Sequence, residues 1–190
     1  MNAGVRRLFF CSLLIACLPL QAASTAPLAG FHTVSLHNGF NRIRLADRPA
    51  TVAYAWRENY NAHGFSLASI YLDDADATGK TSLLLVPAFG DNHDPNKEQF
   101  EFARSGGADC LLRDFRLLTA GDKALLVIAM REPGTSYTDA EAVHFDVYSL
   151  RRNDEGIPGR PHFYFSLDRR IEASRPYCDV GEALKEELKL

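Results

Sequence analysis

From residue 40 onward, apolar and polar positions alternate with a period of two rather than 3.6. Phe40-Asn41-Arg42-Ile43-Arg44-Leu45 puts Phe, Arg and Arg on one face and Asn, Ile and Leu on the other. Strand side chains point alternately to two faces, so this pattern reads as β. Thr51–Trp56, Phe65–Leu72 and Ser82–Val86 are further β-rich runs, and Phe100 and Phe102 alternate with Gln99 and Glu101. Leu111–Leu118 has mixed faces. Ala124–Met130 is apolar on both, which predicts a central strand covered on each side. Val143, Phe145 and Val147 alternate with His144, Asp146 and Tyr148. Phe163, Phe165 and Leu167 alternate with His162, Tyr164, Ser166 and Asp168.

Turn formers punctuate these runs at His37-Asn38-Gly39, Asp73–Lys80, Thr119–Lys123 and Asn153–Gly159. Turns at roughly eight- to twelve-residue intervals suggest an all-β sandwich or barrel. One helical signal stands at the end. Asp179 is a good N-cap, Glu182 is its capping-box partner, and Val180, Ala183, Leu184 and Leu188 can share a face. The expectation is a mainly-β fold: a single-domain antiparallel sandwich or open barrel of about eight to ten strands with one short C-terminal helix. No repeat or linker divides it.

The first residues depart from this pattern. Arg6 and Arg7 precede an apolar stretch, Leu8–Leu18, that is too short to span a bilayer, and small residues follow Gln21. Residues 1–22 read as a cleaved signal peptide and residues 23–190 as the single mainly-β domain. Leu14-Ile15-Ala16-Cys17 also resembles a lipobox, a rival reading in which Cys17 carries a lipid. Either way the expected location is the periplasm, and no other stretch suits a transmembrane helix. Losing Arg6 and Arg7 moves the formal net charge from −3 to −5. A mildly acidic chain whose cations are scattered singly or in pairs lacks the footprint of a nucleic-acid binder.

Export also reduces the cysteines to two, Cys110 and Cys178. In an oxidising compartment one disulfide is the natural pairing, closing the loop from 111 to 177. It would pin the C-terminal helix to the sheet, and in the chain-entropy model contributes on the order of 4 kcal/mol.

Catalytic motifs are lacking. The chain has no Ser-x-x-Lys, no Gly-x-Ser-x-Gly and no His-x-His-x-Asp. Asp91-Asn92-His93-Asp94, with Glu98 and Glu101 downstream, is the best metal candidate, but the spacing fits no known geometry and reads as a polar loop. Asp74–Gly79 has the first half of a calcium loop, yet Leu85 stands where a bidentate carboxylate is needed. His144 and His162 each read as surface or half-buried histidines. No metal and no cofactor is expected.

The densest polar stretch is Arg57-Glu58-Asn59-Tyr60-Asn61-Ala62-His63-Gly64-Phe65. Asn59 and Asn61 can satisfy loop backbone groups, so the stretch can be a self-satisfied polar brace. It can equally be a binding edge for a small carboxylate ligand, with Arg57 as the two-point anion clamp and Glu58, Asn59, Asn61 and His63 around it. Ser105-Gly106-Gly107-Ala108-Asp109 is a candidate neighbour, its glycines opening backbone N–H groups to an anion and Asp109 adding a carboxylate.

Three blocks, RENYNAHGFS, GGADCLLRDFRLL and PYCDVGEAL, resemble the CarG-like carbapenem self-resistance family of secreted bacterial proteins, over about Phe40 to Leu184. The resemblance implies a periplasmic, mainly antiparallel-β protein that protects against a carbapenem without being a β-lactamase. It agrees with the missing Ser-x-x-Lys and with pairing of the matching cysteines. It brings no ligand-contact residues to carry over.

The leading expectation is therefore a non-enzymatic periplasmic protective protein that binds a β-lactam or other small carboxylate. The alternative is an immunity-type module that binds a partner protein through exposed aromatics near Tyr60 or Tyr137. A hydrolase with an unrecognised site would rely on His63, Glu58 and Asp109.

Overall fold

The computed structural model describes residues 28–75, 78–90, 94–107 and 109–190. The signal segment, Cys17, Asp91–His93 and Asp76–Ala77 of the calcium-like loop lie outside the described residues. The strands in chain order are β1 (His32–Thr33), β2 (Gly39–Leu45), β3 (Arg48–Arg57), β4 (Phe65–Ala75), β5 (Thr81–Leu85) and β6 (Ala88–Phe89). They continue as β7 (Glu98–Gln99), β8 (Phe102–Gly106), β9 (Leu111–Ala120), β10 (Lys123–Arg131), β11 (Val143–Arg152) and β12 (Phe163–Glu172). The short helix α1 (Val180–Ala183) widens to π-helical geometry over Leu184–Leu188.

All twelve strands form one open sheet, in the order β2-β3-β4-β8-β9-β10-β11-β12-β6-β7, with β1 added to β9 and β5 to β4. The mainly-β class and the short terminal helix are as expected, but the strands exceed eight to ten. The additions β1, β6 and β7 are two residues each, too short to show a period. Phe100 and Phe102 do not share a strand. Phe100 is exposed between β7 and β8, and Phe102 opens β8 fully buried. Nor is the sheet wholly antiparallel, since β6 runs parallel to β12.

The connection from β5 to β6 belongs to both ends of the sheet. Val86 N donates to Ile70 O on β4 (2.9 Å), and one residue on, Pro87 O accepts from Phe165 N on β12 (2.8 Å). Strands β2–β4 and β9–β12 thereby turn one face to a common core that holds Val52, Ile70, Phe102, Leu126 and Phe165. On β2 the inward residues are Asn41 and Leu45, as the alternation predicts, and Phe40 faces out.

The opposite face of β9–β11 is apolar too: Leu118, Leu125, Val127, Ala129, Val143, Phe145 and Val147 pack against Tyr177, Val180, Ala183, Leu184 and Leu188. The central position of β10 is thus as read from its sequence. Each fully buried Leu or Val here contributes about 1.5–3 kcal/mol of transfer free energy.

The helix starts at Asp179, whose Oδ1 accepts from Gly181 N (2.7 Å) and Glu182 N (3.1 Å). Its Oδ2 accepts from Leu111 N (2.9 Å) on β9, and the neighbouring Cys178 is disulfide-bonded to Cys110. Cap, cross-link and sheet therefore meet at one point. Among the described residues, no bond from Asp179 N to the Glu182 carboxylate completes a capping box. That carboxylate instead lies 3.4 Å from Arg175, whose guanidinium also reaches Glu186 at 2.7 Å.

Candidate functional site

The stretch 57–65 is a loop braced from within. Glu58 Oε1 accepts from Asn59 N (2.8 Å) and Tyr60 N (2.6 Å), and Oε2 accepts from Trp56 Nε1 (3.2 Å). The Trp56 indole and the two backbone amides hold the Glu58 carboxyl below its ordinary range. Asn59 Nδ2 donates to His63 O (2.6 Å), and Asn61 Oδ1 accepts from His63 N (2.8 Å). Tyr60 is thereby held in the left-handed region (φ 55°) and is 97% exposed. Gly64 lies against Trp56, where a Cβ would collide with the indole.

Of the sequence candidates, Glu58, Asn59 and Asn61 thus make hydrogen bonds inside the loop. The Arg57 guanidinium lies over the Phe65 ring at 5.3 Å, and the His63 ring is 5.4 Å from Tyr137. The turn at 105–109 does sit beside this loop. Phe65 pairs with Ser105, and Gly64, Ser66, Gly106, Gly107 and Asp109 border one shallow groove. Arg57, Glu58, Asn59, Asn61 and His63 do not line it. The amide of Gly107 is already given to Cys110 O (3.0 Å). Among the described residues no bond links His63, Glu58 and Asp109, and His162 is exposed against Phe163.

A different set of polar residues converges on the core-facing side of the sheet. Pairing register places Arg113 (β9), Met130 (β10) and His144 (β11) in one cross-strand row, and Phe115, Ile128, Asp146 and Arg170 (β12) in the next. Directly paired residues share a face. Together with Glu132, Tyr148 and the β6–β7 hairpin, these rows form a cleft of about 290 Å³, at the small end of ligand pockets. The hairpin contributes Lys97 and Gln99. It is held by Tyr148, whose hydroxyl donates to Gly90 O (3.0 Å), and by Arg160, which donates to Pro95 O (3.1 Å) and stacks on Phe89 at 3.7 Å.

The charges in the cleft are unequally matched. Asp146 is spent on Arg170 through two bonds, Nε–Oδ1 2.6 Å and Nη2–Oδ2 2.8 Å, and that pairing raises the Arg170 pKa. Arg113 donates from Nη2 to the neutral Gln99 Oε1 (3.1 Å), and burial lowers its pKa. Among the described residues its Nε is buried without a partner, and so is Nε2 of His144. His144 is 5% exposed, with Nδ1 3.2 Å from Glu132 Oε1. Buried donors and acceptors are almost always satisfied, so two orphans in one cleft point to a ligand or solvent group between them. The arrangement can bind a small anion with polar handles.

No local motif marks this cleft, whose lining residues are dispersed from Lys97 to Arg170. The signal was nonetheless there. An all-apolar β10 must be flanked by strands buried on both faces, which forces His144, Asp146 and Tyr148 of β11 inside. Among the described residues no group of three or more His, Cys, Asp or Glu side chains is placed to hold a metal ion, and no helix is long and apolar enough to cross a membrane.

Comparison with known proteins adds two findings. The profile of a family described as carbapenem resistance protein CarG-like matches residues 36–186. A solved structure titled "Crystal structure of CarG" superposes with a TM-score of 0.62 at 22% identity, covering 82% of this chain and 94% of that one, a likeness of fold. A search of curated proteins finds no match.

Proposed function

Since the chain belongs to the CarG-like family of carbapenem resistance proteins, we propose that it protects by holding a small carboxylate-bearing ligand of the β-lactam class intact. The observation that carries this reading is Arg113, a half-buried guanidinium facing an open cleft, whose buried Nε has no partner and which has no carboxylate of its own among the described residues. A ring carboxylate supplies the missing counter-charge, and Ile128 and Met130 offer apolar surface to the ring. A charge-assisted hydrogen bond in such a site is roughly twice as strong as a neutral one.

The same lining favours binding without turnover. Acyl transfer needs a nucleophile within hydrogen-bond reach of a base. Among the described residues the cleft is lined by no Ser, Thr or Cys, and the Tyr148 hydroxyl is committed to Gly90 O. Residence in the periplasm after loss of residues 1–22 belongs to this proposal. It is supported by the Cys110–Cys178 disulfide, a bond that persists in oxidising compartments.

The test is a thermal melt of the mature, disulfide-intact chain against a panel of β-lactams, with mass spectrometry of protein and antibiotic afterwards. A ligand at a hundred times its dissociation constant stabilises by about 2.7 kcal/mol. A carbapenem-dependent shift lost in Arg113→Gln and kept in Arg57→Ala is expected, with antibiotic and protein masses unchanged. An acyl adduct or opened lactam defeats the proposal of binding without chemistry. Loss in Arg57→Ala alone moves the site to the 57–65 loop.

One observation favours a second reading, a protein partner. Tyr60 is held outward on a left-handed backbone by Glu58, and Tyr137 nearby is 55% exposed. No β-lactam shift, together with a defined partner whose binding is lost in Tyr60→Ala, would select it.

A further inference from the structure

Arg113 and His144 occupy β9 and β11 at positions that both pair directly with Met130 of β10. Opposed residues in antiparallel strands have Cα atoms roughly 4.5–5.5 Å apart, so the two polar side chains flank one flexible thioether across about 10 Å. Their chemistry is not symmetrical. Arg113 Nε can only donate. His144 Nδ1 faces Glu132 Oε1 at 3.2 Å, and a carboxylate oxygen can only accept, so Nδ1 carries the hydrogen. In the neutral imidazole Nε2 is then a lone pair. A carboxylate placed between them is welcomed by Arg113 and repelled by that lone pair, unless Nε2 is protonated.

We propose that Arg113 and His144 form a two-point subsite for the carboxylate of a small ligand, and that each carboxylate bound brings one proton from solvent onto His144 Nε2. The imidazolium then donates from Nδ1 to Glu132 and from Nε2 to the ligand, and both buried orphans are satisfied. Gln99 acts as a positioning residue, since its Oε1 holds Arg113 Nη2 and thereby sets the plane of the guanidinium.

The charged and titratable groups around His144 make this coupling specific to an anion. Arg113 comes from β9, Asp146 and Tyr148 from its own strand, and Arg170 from β12, where Glu172 is also directly opposite. Lys97 comes from the hairpin and Glu132 from just beyond β10. Arg113, Arg170 and Lys97 repel a charged imidazole, whereas an incoming carboxylate attracts it. A neutral ligand has no such effect. The proposal rests on the carboxylate-binding reading above and sharpens it to a ligand that binds as its anion plus a proton.

Isothermal titration of the mature, disulfide-intact protein near neutral pH, in buffers of differing ionisation enthalpy, tests it. The probes are meropenem and benzoate, a plain aromatic monocarboxylate. The expected result is net proton uptake, at most one per ligand, and an affinity that rises as pH falls, by at most about tenfold per unit. His144→Gln abolishes the uptake, and Arg113→Gln weakens binding about tenfold or more. Arg113→Lys, which keeps the charge but not the fixed fork, serves if the Gln variant does not fold.

If meropenem binds without proton uptake and indifferently to both substitutions, the subsite is wrong while the protective-binding reading stands. If benzoate binds with uptake and meropenem does not bind, the subsite stands and the β-lactam reading falls. If neither binds, the subsite is overturned, and a carbapenem shift in the melts is then the only remaining support for binding.

Discussion

Asp146 and Arg170 meet face to face on directly paired positions of β11 and β12, carboxylate to guanidinium, with both oxygens engaged. Asp146 is 3% exposed, and the pair is what keeps a carboxylate inside the cleft from neutralising Arg113. Removing one partner of a buried pair is costly because the other is left uncompensated. Part of the Arg170 side chain reaches solvent, so Asp146→Asn is expected to lose about 2–3 kcal/mol, below the roughly 3–5 kcal/mol of a fully buried pair. Chemical denaturation of the variant measures it. Lowered stability with tighter anion binding is the expected combination, since Asp146 then no longer offsets the Arg170 charge.

The disulfide and the Asp179 cap act at the same junction of α1 and β9. In the chain-entropy model, opening the Cys110–Cys178 loop, a separation of 68 residues, costs about 4 kcal/mol. Asp179→Ala removes the cap and the bond to Leu111 N and is expected to cost about 1–2 kcal/mol. Because both changes release the same helix, their effects measured by melting, singly and together, should fall short of additive. Strict additivity would mean that the two contacts hold independent units.

Trp56, the single tryptophan of the chain, reports on Glu58. The carboxyl is held below its ordinary value of 4.5, first by the indole N–H and then by the amides of Tyr60 and Asn59. A depressed pKa contributes stability above the unfolded value and loses it as pH falls through the folded one. Indole fluorescence is therefore expected to change below pH 4.5 and not above it, and the step should vanish in Glu58→Gln. A step at or above the ordinary value would show that the brace is not formed in solution.

Tyr177 should titrate late. Burial, then the Glu187 carboxylate, pushes its phenol up to about 12 from an ordinary 10.0. The stability from a raised pKa is fully present below pH 10.0 and is lost as pH rises through the folded value near 12. Ultraviolet difference titration should show Tyr177 ionising well after the exposed tyrosines, together with unfolding of the C-terminal helix. Tyr177→Phe should remove the Tyr177 part of the late absorbance change and its coupling to helix loss.

Much of the fold was legible because period-two alternation is the direct signature of a one-sided strand. Asn41 pointing inward with Leu45, and Phe40 outward, followed from the pattern alone. The two-residue strands were not legible, since pairing in β1, β6 and β7 is imposed by neighbours rather than by local propensity. The capping-box partner was not found, and Glu182 lies instead beside Arg175, a contact the local rule does not foresee.

The site was harder to read. Local density of polar side chains drew attention to residues 57–65, yet there Glu58, Asn59 and Asn61 bond mainly to their own loop. The cleft is assembled from residues scattered over β9, β10, β11, β12 and a hairpin, each unremarkable alone. Arg113 sits in the CLLRDFRLL run like any strand arginine. Only register, which places it in a row with His144, gives it meaning.

The connection at Val86 and Pro87, bonded first to Ile70 and then to Phe165, has a consequence for the order of folding. Its two partners come from the early and the late parts of the chain. The segment can dock on β4 soon after synthesis, but its second ladder waits until β12 exists. Closing such distant contacts is slow. Until then β6 is a bare strand edge, open to pairing with another chain. A chain truncated before Phe163 would keep that edge indefinitely, and aggregation rather than partial function is its expected fate.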